Sequence, residues 1–315
     1  MKRLSIILIV LCLAGCADLQ RSTKSRTARA GAVAAPALQG EYDNHAQVWK
    51  AHEAGSTAAV PPHVVINIEP AQGDWSIWRI RLDAAPPLEA TWAMRASTAA
   101  DGTMIWTPHS ALGGAPAAGA KFEEKQWTPL DACALRGSLS GDGSKAQADV
   151  AACTALAPGV GAQAALLPIV VEREGDLLRV RLYADQARGA DAREETRLVR
   201  WFTGWAAVNG AGPKAGAENT DWHMDRALRL GSEGGRYTLK WRDGAPTGFS
   251  LALEHLTYRD GNVPVLKLSV VDDADGRTLA YAWANPEATR IGINLGWVQV
   301  GLDSSGQAEP QTGNR

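Results

Sequence analysis

The chain has 315 residues with 32 Lys and Arg against 34 Asp and Glu, a formal net charge of −2, so it has no basic excess with which to hold a nucleic acid. Its length suffices for one large or two ordinary globular units. The aromatic side chains are twelve Trp, five Tyr and three Phe, a marked excess of indole.

The N-terminus, "MKRLSIILIVLCLAGC", has a basic start at Lys2 and Arg3, an apolar run and small residues before Cys16. This is the pattern of a signal peptide over residues 1–15. The apolar run is about ten residues, half of the roughly 20 that a bilayer-crossing helix needs. Leu13, Ala14, Gly15 and Cys16 resemble the bacterial lipobox. The resemblance implies cleavage before Cys16 and lipid attachment to that residue, and several acyl chains anchor a protein stably to a membrane. Ala17 rather than Asp follows the cysteine, and by the sorting rule of such lipoproteins this implies the outer membrane, with the chain facing the periplasm. Residues 16–37 lack apolar periodicity and read as the lipidated cysteine and a flexible tether.

A helix is expected over "NHAQVWKAHEA" (44–54), with Asp43 or Asn44 as N-cap and Ala46, Trp49 and Ala54 along its buried side. Strand-like runs follow, beginning with "HVVINIEP" and "WSIWRIRL". In the second, Trp75, Ile77, Arg79 and Arg81 share one face and Ser76, Trp78, Ile80 and Leu82 the other. Then come "GTMIWTP", "ACALRGSL", "LPIVVERE", "DLLRVRLYA" and "TRLVRWFTGW", with a tight turn from Arg173 to Asp176. The Gly, Pro and Ala-rich break at 209–219 reads as a linker. Beyond it, "RYTLKWRDG", "GFSLALEHLTYRDG", "VPVLKLSVVDDADG", "RTLAYAWANP" and "RIGINLGWVQVGL" carry Asp260-Gly261 and Asp275-Gly276 turns at near-regular spacing, which predicts an antiparallel meander. The tail, 303–315, is polar and reads as disordered. Many strands, one helix and no βαβ rhythm predict an all-β protein that closes its edges as a barrel or sandwich. The expected units are 38–208 and 220–302.

Cys133 and Cys153 lie twenty apart with Gly143 at their midpoint, inside the turn-forming "SGDGSK". A hairpin folded there sets them face to face on neighbouring strands, and an oxidising periplasm pairs them as a disulfide. A redox-active or metal-binding pair is the alternative, although zinc wants two more ligands and none is evident. A nucleophile elbow, a phosphate-cradling loop and a zinc-protease helix are all missing, so no catalytic residue is identified. The six histidines are scattered and read as surface side chains. The tryptophans either pack a core or stack on a flat conjugated ligand, with Trp75, Trp78, Arg79 and Arg81 as candidate contacts to an acidic planar molecule.

Gly40, Tyr42, Asn44 and Gln47 form a G-x-Y-x-N-x-x-Q pattern. It resembles the start of the CpcT/CpeT family of phycobiliprotein chromophore lyases. "DACALRGSL" and "VAACTALAPG" occupy the places of that family's two cysteines, so the resemblance covers residues 38 to about 208. It implies a lipocalin-like antiparallel barrel with one short N-terminal helix, able to hold an open-chain tetrapyrrole and pass it to a protein cysteine without metal or diffusible cofactor. Tyr42, Asn44 and Gln47 become candidates at the barrel mouth. The chain lacks the family's "NPP" run after the Gln and the Pro-Tyr after Gly204, and residues 213–302 have no counterpart there. The expectation is therefore a retained barrel that binds a small planar or amphipathic ligand. Bilin lyase activity and a purely structural envelope role, with "IGINLGWVQVGL" offering an edge for strand pairing, are the alternatives.

Overall fold

A computed structural model describes residues 38–304 except 56–59, 140–142 and 259–262. The signal peptide, Cys16, the tether, the Asp260-Gly261 turn and residues 305–315 lie outside the described residues.

Eleven strands form the first sheet: β1 (Gly40–Asp43), β2 (His63–Pro70), β3 (Trp75–Asp83), β4 (Leu88–Thr98), β5 (Met104–Ala111), β6 (Trp127–Pro129), β7 (Leu135–Gly137), β8 (Ser144–Gln147), β9 (Pro168–Glu174), β10 (Leu177–Leu182) and β11 (Glu194–Leu198). Consecutive strands pair antiparallel, β5 shares one edge between β6 and β7, and β1 closes the circle by pairing with both β2 and β11. The result is a closed ten-stranded antiparallel barrel, with β6 as an extra strand on β5. Alternation sends Val64, Ile66 and Ile68 inward from β2, and Trp78 and Ile80 from β3. With Trp92, Met94, Trp106, Ile169, Val171, Leu178 and Val180 they form one continuous apolar core. Trp92 is 0% exposed, so the chain's own indoles pack the interior.

The expected helix is α1 (His45–Glu53). None of its residues is fully buried: Ala46 and Trp49 are half-buried and Ala54 is exposed. A second helix, α2 (Val150–Val160), was hidden in the alanine-rich "VAACTALAPGV", whose apolar residues have no single-faced helical stripe. Asp149 caps it, its carboxylate accepting from the Ala152 N–H at 3.1 Å. The 3₁₀ segment after it, Gly161–Leu166, lies against β4, and Trp92 Nε1 donates to the Leu166 carbonyl at 3.1 Å. Cys133 and Cys153 are joined by a disulfide, as expected. They do not face each other across the β7–β8 hairpin, however: Cys133 sits in a 3₁₀ turn before β7 and Cys153 on α2, so the bond ties that helix to the barrel wall.

The second region has eight strands: β12 (Trp201–Asn209), β13 (Trp222–Gly231), β14 (Glu233–Lys240), β15 (Pro246–Tyr258), β16 (Val263–Asp272), β17 (Thr278–Ala284), β18 (Arg290–Asn294) and β19 (Val298–Ser304). They form two four-stranded sheets, β13-β12-β19-β18 and β14-β15-β16-β17, around a separate core containing Phe202, Leu230, Leu251, Leu268, Val298 and Trp297. The predicted meander is present. The single run expected at 196–205 is divided: β11 belongs to the barrel, whereas β12 pairs with β13 and β19. The break at 209–219 is accordingly a connection inside a hairpin, and the change of sheet falls at residues 199 and 200. "RIGINLGWVQVGL" is likewise two strands, β18 and β19, folded at Gly296 (φ 82°), and β19 is interior to its sheet.

Candidate functional site

Gly40, Tyr42, Asn44 and Gln47 do come together, but as the clasp that closes the barrel. Gly40 has φ 141°, and a Cβ there would run into the Leu198 side chain of β11, so only glycine fits. Tyr42 is buried in the barrel core. The Asn44 side chain does not cap α1. Its Oδ1 accepts from the Val64 N–H at 2.7 Å and its Nδ2 reaches Glu194 Oε2 at 2.9 Å and the Pro62 carbonyl at 2.8 Å. Gln47 donates to the Arg193 carbonyl at 3.0 Å and accepts from the Glu195 N–H at 3.1 Å. The amides thus join β1 and α1 to β2 and β11, leaving no free polar face for a ligand.

The same clasp holds two shifted titrations. Glu194 is fully buried, and burial pushes its carboxyl up to about 7, against the pull of Arg188 and with the push of Asp185. His63 is raised to about 9: its hydrogen bond to Asp43 dominates, burial opposes, and a second bond to Asp83 adds to the first. Both bonds are 2.7 Å. The surface reading of the histidines is therefore corrected. His63 bridges two carboxylates, His45 meets Glu254 at 3.2 Å and His109 is buried against Trp75.

The β3 candidates separate as their alternation predicts. Trp78 points into the packed interior and donates to Ser76 Oγ at 3.0 Å, where it serves the core rather than a ligand. Arg81 is exposed beside Asp83. Trp75 and Arg79 lie on the outer wall, Trp75 among Ile77, Ala93 and Trp127 with Arg95 over its ring at 5.3 Å. Here the long β5–β6 connection folds back against the barrel. Together with β3 and β4 it bounds a groove lined by Ile77, Arg79, Thr91, Lys121, Phe122 and Trp127, among others. Phe122 and Trp127 stack at 6.4 Å with their planes 21° apart. Trp127 is 6% exposed, and its Nε1 is buried without an acceptor. A buried indole N–H ordinarily finds a partner. Arg79 already meets Glu69 at 2.6 Å, so Lys121, exposed at the rim, is the more available cation.

Sequence reasoning found Arg79 and bordering Trp75 and counted Trp127 among the tryptophans that could stack on a ligand, but it missed Phe122 and Lys121. The connection carrying Lys121 and Phe122 has no strand or helix periodicity, and only the fold brings it over β3. Among the described residues no three His, Cys, Asp or Glu side chains gather as a metal site, and no helix is long and apolar enough to cross a membrane. The fold defines a closed barrel joined to a two-sheet meander, with the groove on the outer wall of the barrel. Compared with protein-family models, curated proteins and solved structures, the chain matches none.

Proposed function

We propose that the chain is a periplasmic lipoprotein, anchored to the outer membrane through Cys16, that binds a small planar or amphipathic acid in the outer groove of its barrel. The observation that carries this reading is the unpaired Trp127 Nε1–H in a recess that also offers an aromatic wall and a cation. An acid seated there accepts from the indole N–H, lays its flat body along Phe122 and Trp127, and places its negative charge near Lys121 or Arg79. The packed interior ends the expectation of a ligand inside the barrel, and the outer groove is a separate reading. The lipobox-like Leu13 to Cys16 supports the anchor.

The test uses 8-anilinonaphthalene-1-sulfonate, a planar amphipathic acid, and biliverdin, a tetrapyrrole with two acidic side chains. Saturable binding is expected. Trp127→Phe, which keeps the ring and deletes the N–H, and Lys121→Ala should each weaken it about five- to tenfold, the size of one lost hydrogen bond or ion pair. Binding that neither change affects, or no saturable binding, overturns the reading. Transfer of biliverdin to an acceptor cysteine, seen as a mass increase, would replace it with lyase activity. Release of Cys16→Ala protein from the membrane fraction tests the anchor separately.

A further inference from the structure

The barrel and the second β-region meet where α1 packs on β14 and β15, and where Arg197 and Leu198 of β11 border a cavity with Glu233 and His255. Beside it, the Arg200 N–H, on the segment between β11 and β12, donates to Ser232 Oγ at 3.0 Å, the His255 N–H donates to the Ser232 carbonyl at 2.6 Å, and Glu233 Oε1 lies 3.5 Å from His255 Nδ1. The small cavity in this joint is bordered by Arg197 of β11, Glu233 of β14 and His255 of β15, with Asp176, Arg200 and Ser232 around them. Three of these residues each carry a buried side-chain atom without a hydrogen-bond partner: Arg197 Nε, Glu233 Oε2 and His255 Nε2. Of their other polar atoms, Arg197 Nη1 donates to Asp176 at 2.7 Å and Glu233 Oε1 lies against Ser232 and His255. The Glu233 side chain is 0% exposed.

We infer that this joint is a binding site for one water molecule, held by Arg197, Glu233 and His255, which completes the contact between the two β-regions. The chemistry selects the guest. Arg197 Nε can only donate and a Glu233 carboxylate oxygen accepts, so the guest must accept and donate at once, while His255 Nε2 fits either role by tautomer. A cation is repelled by Arg197 and Arg200, an anion by Glu233, and an apolar group would leave three buried polar atoms unsatisfied. A buried water typically makes about three such bonds. Burial also pushes the Glu233 carboxyl upward, against the pull of His255. A protonated Glu233 turns the same oxygen pair into a donor, which water accommodates by rotating.

High-resolution diffraction from the full-length protein tests the inference. A single water peak is expected about 2.7–3.2 Å from all three atoms. Glu233→Gln, which preserves an acceptor, should keep it, and His255→Phe should lose it together with one long-lived water in ¹⁷O relaxation dispersion. Direct pairing of the three groups with one another, a peak with ion-like density or coordination, or no peak in the wild-type protein overturns the site. The wild-type result decides the matter even if a variant fails to fold, and it is independent of ligand binding at the outer groove.

Discussion

The two β-regions are built from the same connection, consecutive antiparallel strands, and differ in whether the last gap is closed. In the barrel, the four residues of β1 pair with β2 on one side, Tyr42 and Asp43 pair with β11 on the other, and the circle is complete. In the second region no ladder among the described residues joins β13 to β14 or β17 to β18. β17 therefore ends its sheet, with Tyr281 and Trp283 exposed and stacked 5.2 Å apart. Closure depends on a short segment that satisfies two edges at once, and the glycine and amides of the 40–47 stretch are spent on it. An unclosed meander keeps its terminal strands and any aromatics they carry in solvent.

The sharpest way to break the comparison is at the filled interior. Trp92→Ala should cost the barrel about 3–5 kcal/mol, read by urea denaturation, because the packed wall around it cannot collapse fully into the space. Next comes the tie between α2 and the barrel wall: replacing Cys133 and Cys153 together with Ala should cost about 3 kcal/mol in the loop-entropy account, with a matching drop in the denaturation midpoint of the unreduced protein.

The clasp should give the barrel a titration. The folded His63 pKa, about 9, lies above the ordinary 6.5, so its stabilisation is complete below pH 6.5 and is lost as pH rises to 9. With partial exposure allowed for, the amount is on the order of 2 kcal/mol. Glu194, raised from 4.5 to about 7, binds a proton more tightly when folded, so it too costs stability as pH rises, but between 4.5 and 7. Melting temperature against pH should therefore fall in two windows. His63→Leu should remove the upper one and Glu194→Gln the lower; a profile unchanged by either substitution would show that the clasp does not titrate this way. The smallest effect belongs to the open edge, where Tyr281→Ser and Trp283→Ser should each change stability by no more than about 0.5 kcal/mol. A much larger loss would mean that these rings support the core.

Much of the fold was legible because strands announce themselves locally. The face assignment of Trp75 through Leu82, the turn at Gly175, the Asp275-Gly276 turn and the helix at 45–53 all follow from side-chain period and turn chemistry. The cysteine pairing was legible for a partly mistaken reason: the hairpin at Gly143 exists, but the sulfurs meet beyond its strands. Less of the candidate site was readable, since Arg79 and Trp75 stand on a recognisable strand whereas Phe122 and Lys121 stand on an irregular connection whose course no local rule sets.

The amino-acid sequence by itself determined an antiparallel all-β chain and its alternating faces, because those depend on neighbours two to a few residues apart. Only the tertiary structure decided that "TRLVRWFTGW" divides between two sheets, that Gly40, Asn44 and Gln47 close a barrel, and that Trp127 lines a groove with its N–H buried and unpaired. Each of those outcomes depends on partners far along the chain: Leu198 for Gly40, Glu194 for Asn44, Leu302 and Gly231 for the strand that follows the barrel. A local pattern carries no information about which distant backbone will be there to meet it.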